Sequence, residues 1–231
     1  MTTATRPTIK LPQHLVHDWH TVGGLSDPGK MPEFSWSTPA EECNVGGRLR
    51  LVPGSTCEVC YARKGRYPTG VVQRALYRRL DCWELNRGPV FQGAMARLVS
   101  ALVDSHFRWF DAGDLASVAM LEDIVMIAKL TPHIQFWLPT RELAVVLDYL
   151  ETAHEFPDNL TVRVSAPMVD QALTVPLRGP TTARVVRSSV FSDEHKPGAG
   201  TICRAYQNKG QCGDCRHCWD LNVDHVTYLK H

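Results

Sequence analysis

The residues with the clearest chemical potential are eight cysteines in a chain of 231 residues, and their spacing sorts them. Near the end of the chain Cys203 is followed by Cys212, Cys215 and Cys218, the last three separated by two residues each. At that spacing thiolates converge from one tight bend. The Cys-x2-Cys-x2-Cys run suits a cubic [4Fe–4S] cluster, with the remaining ligand drawn from elsewhere in the chain. Zinc is the alternative, because four cysteines also close a tetrahedral site. The surrounding composition argues for a metal over ordinary packing. Between Asp193 and Leu221 the large apolar side chains are Ile202, Tyr206, Trp219 and Leu221. Ordering each residue costs on the order of 1.5 kcal/mol, whereas a structural metal supplies about 10 kcal/mol or more.

A further set lies earlier. Cys57 and Cys60 form a Cys-x2-Cys pair in a loop bounded by Pro53-Gly54 and Gly65, and Cys43 stands upstream. Together these make a candidate three-thiolate site. Cys82, beside Trp83 in a helical pattern, is read either as its fourth ligand or as a buried free cysteine.

The elements that must position these thiols follow from periodicity. Phe34-Ser35-Trp36 alternates as a short strand, and Gly46-Gly47 reads as a turn. From Thr69 a helical stripe carries Val72, Leu76, Leu80 and Trp83, and another helix runs from about Pro89 to Val103. Strands are predicted at His106–Phe110, His133–Leu138, Leu160–Val164 and Ala183–Phe191, with a last one at His225–Leu229. Helices at Leu115–Leu130 and Glu142–His154 fall between them. Alternating strands and helices with short links predict right-handed βαβ units on a parallel sheet. The fold class is therefore α/β: an incomplete (β/α) barrel of about six mostly parallel strands, followed by a cysteine-rich C-terminal metal-binding segment. Residues 1–35 read as an N-terminal arm, 36–192 as the (β/α) core with its Cys57/Cys60 loop, and 193–231 as the cluster-binding segment. Within the arm, His14, His17 and His20 repeat every third residue, on a surface helix packed through Leu15, Val16 and Trp19.

In such a sheet ligands bind just past the strand C-termini. That rim is expected to carry Asp111, Gly113, Asp114, Thr140, Arg141, Arg163, Ser165 and Arg187, with Gly113, Asp114, Thr140, Arg141, Arg163 and Ser165 as the small-molecule or cofactor contacts. The Cys57/Cys60 loop should open onto the same rim. Elsewhere, seven Arg or Lys side chains between Arg63 and Arg87 face only Asp81 and Glu84. They form a solvated helix face or a surface for nucleic acid or a host protein.

Composition bounds the rest. A net charge of +1 provides no global field for nucleic acid or a membrane. The first residues lack the basic-then-apolar run of a secretion signal. The best apolar stretch, near Val118–Leu130, is interrupted by Glu122 and Asp123. The expectation is a cytoplasmic protein with reduced thiols and no membrane contact.

The motifs also carry a resemblance. Cys57-x2-Cys60-Tyr61-Ala62-x-Lys64-Gly65-x-Tyr67, Ala112-Gly113-Asp114, Phe136-Trp137-x-Pro-Thr140-Arg141, Arg163-x-Ser165 and the final cysteine run together resemble the gene product 88 family of actinobacterial phages, over most of residues 29–229. This implies a phage origin, a host-cell cytoplasmic setting and iron–sulfur character. More distantly, the chain resembles radical-SAM proteins in having a cysteine loop after its first strand and Gly-Asp after the next. By that likeness Cys57 and Cys60 match the last two cluster ligands, and Gly113-Asp114 matches the turn that binds the amine of S-adenosylmethionine. The first ligand position falls at Pro53, so Cys43 would serve with Gly46–Pro53 looped out.

Two functions are compatible with these features. One is an iron–sulfur protein with one or two [4Fe–4S] clusters performing redox or radical chemistry on a small molecule. The other is a non-enzymatic accessory protein, stapled by an iron–sulfur cluster or zinc, that binds a host or phage macromolecule.

Overall fold

The computed structural model describes residues 10–153, 155–173, 185–193 and 200–230. In chain order the elements are α1 (Val16–Thr21), β1 (Ser35–Trp36), α2 (Asn44–Leu49), α3 (Gly70–Asn86), α4 (Pro89–Leu102), β2 (His106–Trp109), α5 (Val118–Leu130), β3 (Gln135–Thr140), α6 (Leu143–Ala153), β4 (Leu160–Val169), β5 (Val185–Phe191), β6 (Thr201–Ile202) and β7 (His225–Leu229). The seven strands form one parallel sheet in the order β1-β2-β3-β4-β5-β7-β6, with β1 and β6 at its open edges. Neighbouring parallel strands require a crossover, and α5 and α6 supply it from β2 to β3 and from β3 to β4. Local signals set the helix starts. Pro89 occupies the first turn of α4, and the Ser117 hydroxyl accepts the Met120 amide at 3.3 Å to cap α5.

Alternation along the strands divides the sheet into two faces. Phe107, Trp109, Phe136, Leu138, Leu160, Val162 and Val164 enter the main core, with Phe91, Met95 and Leu98 of α4 and Leu121 and Ile124 of α5. Asp123 interrupts the apolar run of α5 because it has a buried task. Its carboxylate accepts from Trp83 Nε1 at 2.8 Å, Gln92 Nε2 at 2.7 Å and the Gly88 amide at 3.1 Å, joining α3, α4 and α5. The opposite face carries Trp137, Thr161, Arg163, Ser165 and Ser188, and the C-terminal segment lies on it. Trp137, Cys218, Trp219 and Val226 make a separate buried cluster there.

Several expectations change in detail. Residues 10–34 are packed, not extended: Leu15, Val22 and Leu25 are buried in the main core. Asp18 in α1 receives a bidentate pair from Arg97 at 2.6 and 2.8 Å. Gly46-Gly47 lies inside α2 and is not a turn. Strand β4 runs on past Ser165 to Val169, through an irregular register against β5 that accommodates Pro167. Ala183, expected to start β5, and His154, expected to end α6, lie outside the described residues.

Candidate metal centres

Cys43 stands between a short 3-10 turn and α2. Cys57 and Cys60 sit on a tight loop, with the Cys60 amide donating to Cys57 O at 3.2 Å. This loop is stretched over the C-terminal ends of three strands. On one side the Thr56 amide donates to Pro167 O and the Val169 amide to Gly54 O, both at 2.9 Å, fixing the loop to the end of β4. In the middle, Arg141 Nε donates to Thr56 Oγ1 at 2.9 Å, tying it to β3. On the other side Tyr61 OH donates to Asp111 O at 2.5 Å and Tyr67 OH to Asp111 Oδ2 at 2.9 Å, just beyond β2. The loop thus opens on the rim, as its sequence position predicts.

The thiols of Cys43 and Cys57 meet beside Gly46. A methyl group placed on that glycine would lie 3.6 Å from each sulfur and 3.0 Å from Cys43 Cβ. Burial pushes the Cys43 thiol far up, and Asp114, Cys60, Cys57 and Glu142 push it further. Cys57 is raised by burial too, opposed chiefly by Arg141. The Cys43 thiol thus lies among Cys57, Cys60, Asp114 and Glu142, with Arg141 as the cation beside Cys57, and burial favours the protonated thiols of Cys43 and Cys57.

The rim residues divide. Asp114 is turned inward: its carboxylate accepts from Thr140 Oγ1 at 2.6 Å, the Leu115 amide at 2.8 Å and the Arg141 amide at 2.9 Å. Three donors from the protein leave it little to offer a ligand amine. Thr140 and Arg141 are engaged with it, and Ser165 shares a 2.9 Å hydrogen bond with Ser188. Gly113 has φ +79°, and an added Cβ would stand 2.6 Å from Thr38 O and closer still to Thr38 Oγ1, so this turn packs directly on the chain leaving β1. Gly113→Ala is expected to cost about 1–3 kcal/mol from the backbone conformation alone and more from the clash, read as a lower urea midpoint. An unchanged midpoint would contradict this packing.

Arg163 is not a rim contact. It is wholly buried in mid-strand, and its five N–H groups meet five carbonyls. Nε donates to Cys218 O at 3.5 Å, Nη1 to Arg187 O at 2.8 Å and Val223 O at 3.1 Å, and Nη2 to His217 O at 3.1 Å and Asp220 O at 3.2 Å. A guanidinium in mid-sheet therefore shapes the bend that follows the last cysteines. Arg187 pairs with Asp224 at 3.1 Å.

The C-terminal thiols are placed by several elements. The Cys203 amide donates to Thr227 O of β7 at 2.8 Å, the Cys212 amide to Lys30 O at 3.1 Å, and the Cys215 amide to Cys212 O at 3.1 Å. Cys218 is buried, its sulfur 3.1 Å from Tyr228 OH. Its thiol is pushed up to about 12 by burial, against the opposing pull of Tyr228 and Arg163. Burial raises Cys203 and Cys212 as well, and Cys215 acts on both. Trp219 anchors the bend, with Nε1 donating to Phe107 O at 2.9 Å and its carbonyl accepting from Thr161 Oγ1 at 2.6 Å. This packing supplements the few apolar side chains counted in the sequence.

All eight cysteines are free thiols, and Cys43, Cys57 and Cys60 form one neighbourhood while Cys203, Cys212, Cys215 and Cys218 form another. Among the described residues, no three Cys, His, Asp or Glu side chains converge closely enough to hold a single metal ion. The donor chemistry, three and four thiols on short loops backed by Arg141 and Arg163, fits thiolate-ligated clusters. Cys82 stands apart, its thiol 3.3 Å from His20 O. Glu142, Arg108 and Trp137 also border these neighbourhoods, and sequence position alone does not single them out as contacts. Glu142 accepts the Val45 amide at 2.7 Å.

The basic helix is only partly a solvated face. Arg79 is buried, and burial lowers it to about 10. Arg78 Nε and Arg79 Nε donate to Gly23 O and Gly24 O, each at 3.0 Å. Gly23 itself packs on α3, where an added Cβ would lie 2.8 Å from Arg79 Cα. Arg79→Gln is expected to lower stability by about 1.5–3 kcal/mol, while Arg74→Gln leaves it nearly unchanged, as thermal denaturation will read. Equal effects would contradict the buried placement.

The family model for gene product 88 matches residues 21–221. No curated protein and no solved structure matches the chain. No helix among the described residues is long and apolar enough to cross a membrane.

Proposed function

The chain belongs to the gene product 88 family, and from that premise we propose that it is a phage-encoded iron–sulfur protein with two [4Fe–4S] clusters. Cys203, Cys212, Cys215 and Cys218 would hold one. Cys43, Cys57 and Cys60 would hold the other, leaving one iron without a protein ligand. The observation that carries this is the gathering of seven of the eight cysteines into two neighbourhoods, both on short loops over one sheet. The order β1 to β5 follows the sequence, which supports an incomplete barrel with the three-thiolate loop at its mouth. When bound, such clusters supply one-electron transfer, and an open iron supplies a coordination site for a small molecule.

The chain's own groups have separate tasks in this account. Arg141 joins the Cys57 loop to β3 and places a cation beside the thiols. Glu142 fixes the start of α2 next to Cys43. Arg163 and Trp219 hold the C-terminal bend on the sheet. A radical-SAM-like use of the open site needs an amine partner other than Asp114.

The alternative reading, a metal-stapled accessory protein with iron–sulfur or zinc, is favoured by that same anchoring, which is structural. EPR of the reduced protein separates the two. A spectrum that changes when S-adenosylmethionine or another small chelating molecule is added supports the enzymatic form. A spectrum indifferent to all such additions leaves the cluster fully ligated and supports the accessory role.

A further inference from the structure

Arg163 shows how completely a buried guanidinium can be satisfied in this protein, and Arg108 departs from that standard. Arg163 spends all five N–H groups on carbonyls. Arg108, on β2, has a sealed Nε with no hydrogen-bond partner among the described residues. Its remaining side-chain bonds run from Nη1 to Met31 Sδ at 3.0 Å and from Nη2 to Tyr61 OH at 3.4 Å, a weak acceptor and a long contact. The guanidinium carbon lies 4.4 Å from the centre of the Trp137 ring. Trp137 is 5% exposed, and its Nε1 is likewise sealed and without a partner. Two buried donors without partners, on side chains in contact, cost free energy unless an acceptor arrives.

We propose that Arg108 and Trp137 form a binding site for a small monocarboxylate with an apolar body. The Nε–H and one Nη2–H of a guanidinium lie parallel along one edge, which matches the two oxygens of a carboxylate. The walls are Trp137, Tyr61 and Met31, which suit an apolar body. Tyr61 is 54% exposed, so the wall it forms faces solvent on one side. The paired edge and the Trp137 face together favour a flat carboxylate with an apolar body over inorganic phosphate, which has no apolar part to lay against the ring. The site lies between the rim thiols, through Tyr61 next to Cys60, and the C-terminal thiols, through Met31 next to Lys30, which holds Cys212.

Calorimetric titration of the purified full chain with benzoate tests this, with inorganic phosphate as the comparison. Benzoate should bind saturably and phosphate at least tenfold more weakly. Arg108→Gln should weaken benzoate more than tenfold, and Trp137→Phe several-fold, since an aromatic face is kept while the N–H is lost with the five-membered ring. Should Arg108→Gln fail to fold, Arg108→Lys, which keeps the charge but loses the paired edge, should still weaken benzoate severalfold. No saturable binding by the wild type, equal binding by the Arg108 variants, or a preference for phosphate would overturn the assignment. Iron content measured on the same samples separates the two proposals: a protein that retains iron and ignores benzoate sinks this one alone.

Discussion

Arg163→Ala is expected to destabilise the protein by about 3–5 kcal/mol, the range for uncovering a desolvated charge site. The reason is the number of groups left behind. Five carbonyls, from His217, Cys218, Asp220, Val223 and Arg187, lose their donor at once, and an unmet buried acceptor costs about 1–3 kcal/mol. Local rearrangement and water entry keep the total below a simple sum. Arg163→Lys should recover only part, because an ammonium has three donors on one point and no fork. The loss should be concentrated in the C-terminal segment, so limited proteolysis should cut between residues 200 and 223 well before the βα core. Wild-type urea midpoints for the alanine variant, or proteolysis starting in the core helices, would contradict the role given to Arg163.

The other large effect is on metal. Cys60→Ser should remove the metal of the rim centre and spare that of the C-terminal one, while Cys215→Ser should do the reverse. Each variant, purified without oxygen, should keep about half of the wild-type iron if both centres hold cubic clusters of the same kind. Cys82→Ser should keep all of it, since Cys82 faces His20 O away from both groups. The stability cost should be larger for Cys215→Ser, because the segment that carries it has few large apolar side chains of its own. Loss of all iron from either single variant would mean one shared site.

Much of this arrangement is legible in the sequence because it is local. The Cys-x2-Cys spacings, the helical stripe of α3 and the alternation of β7 each involve neighbours along the chain. What escapes a sequence reading depends on distant partners. Arg163 and Ser165 resemble the end of a strand, since a polar pair followed by Pro167 usually stops one; the register shift against β5 lets the strand continue. Sequence position therefore puts Arg163 on the rim, whereas alternation turns it to the sheet face covered by residues 217–223. Arg108 sits in His106-Phe107-Arg108-Trp109, a pattern that reads as a half-exposed strand. Its cover comes from Met31 and Tyr61, each more than forty residues away. Arg79 is concealed in the same way, because the Gly23-Gly24 turn that buries it has no periodicity to announce it. Asp114 shows the reverse case: its position after β2 is legible, but only the fold reveals that Thr140 and Arg141 already occupy it.

Iron, zinc and acid-labile sulfide determined together on wild-type protein purified without oxygen test the central claim most directly. The account predicts iron and sulfide in equal amounts, well in excess of zinc, with iron falling in both Cys60→Ser and Cys215→Ser. Zinc without sulfide, or protein that carries neither metal, would contradict it.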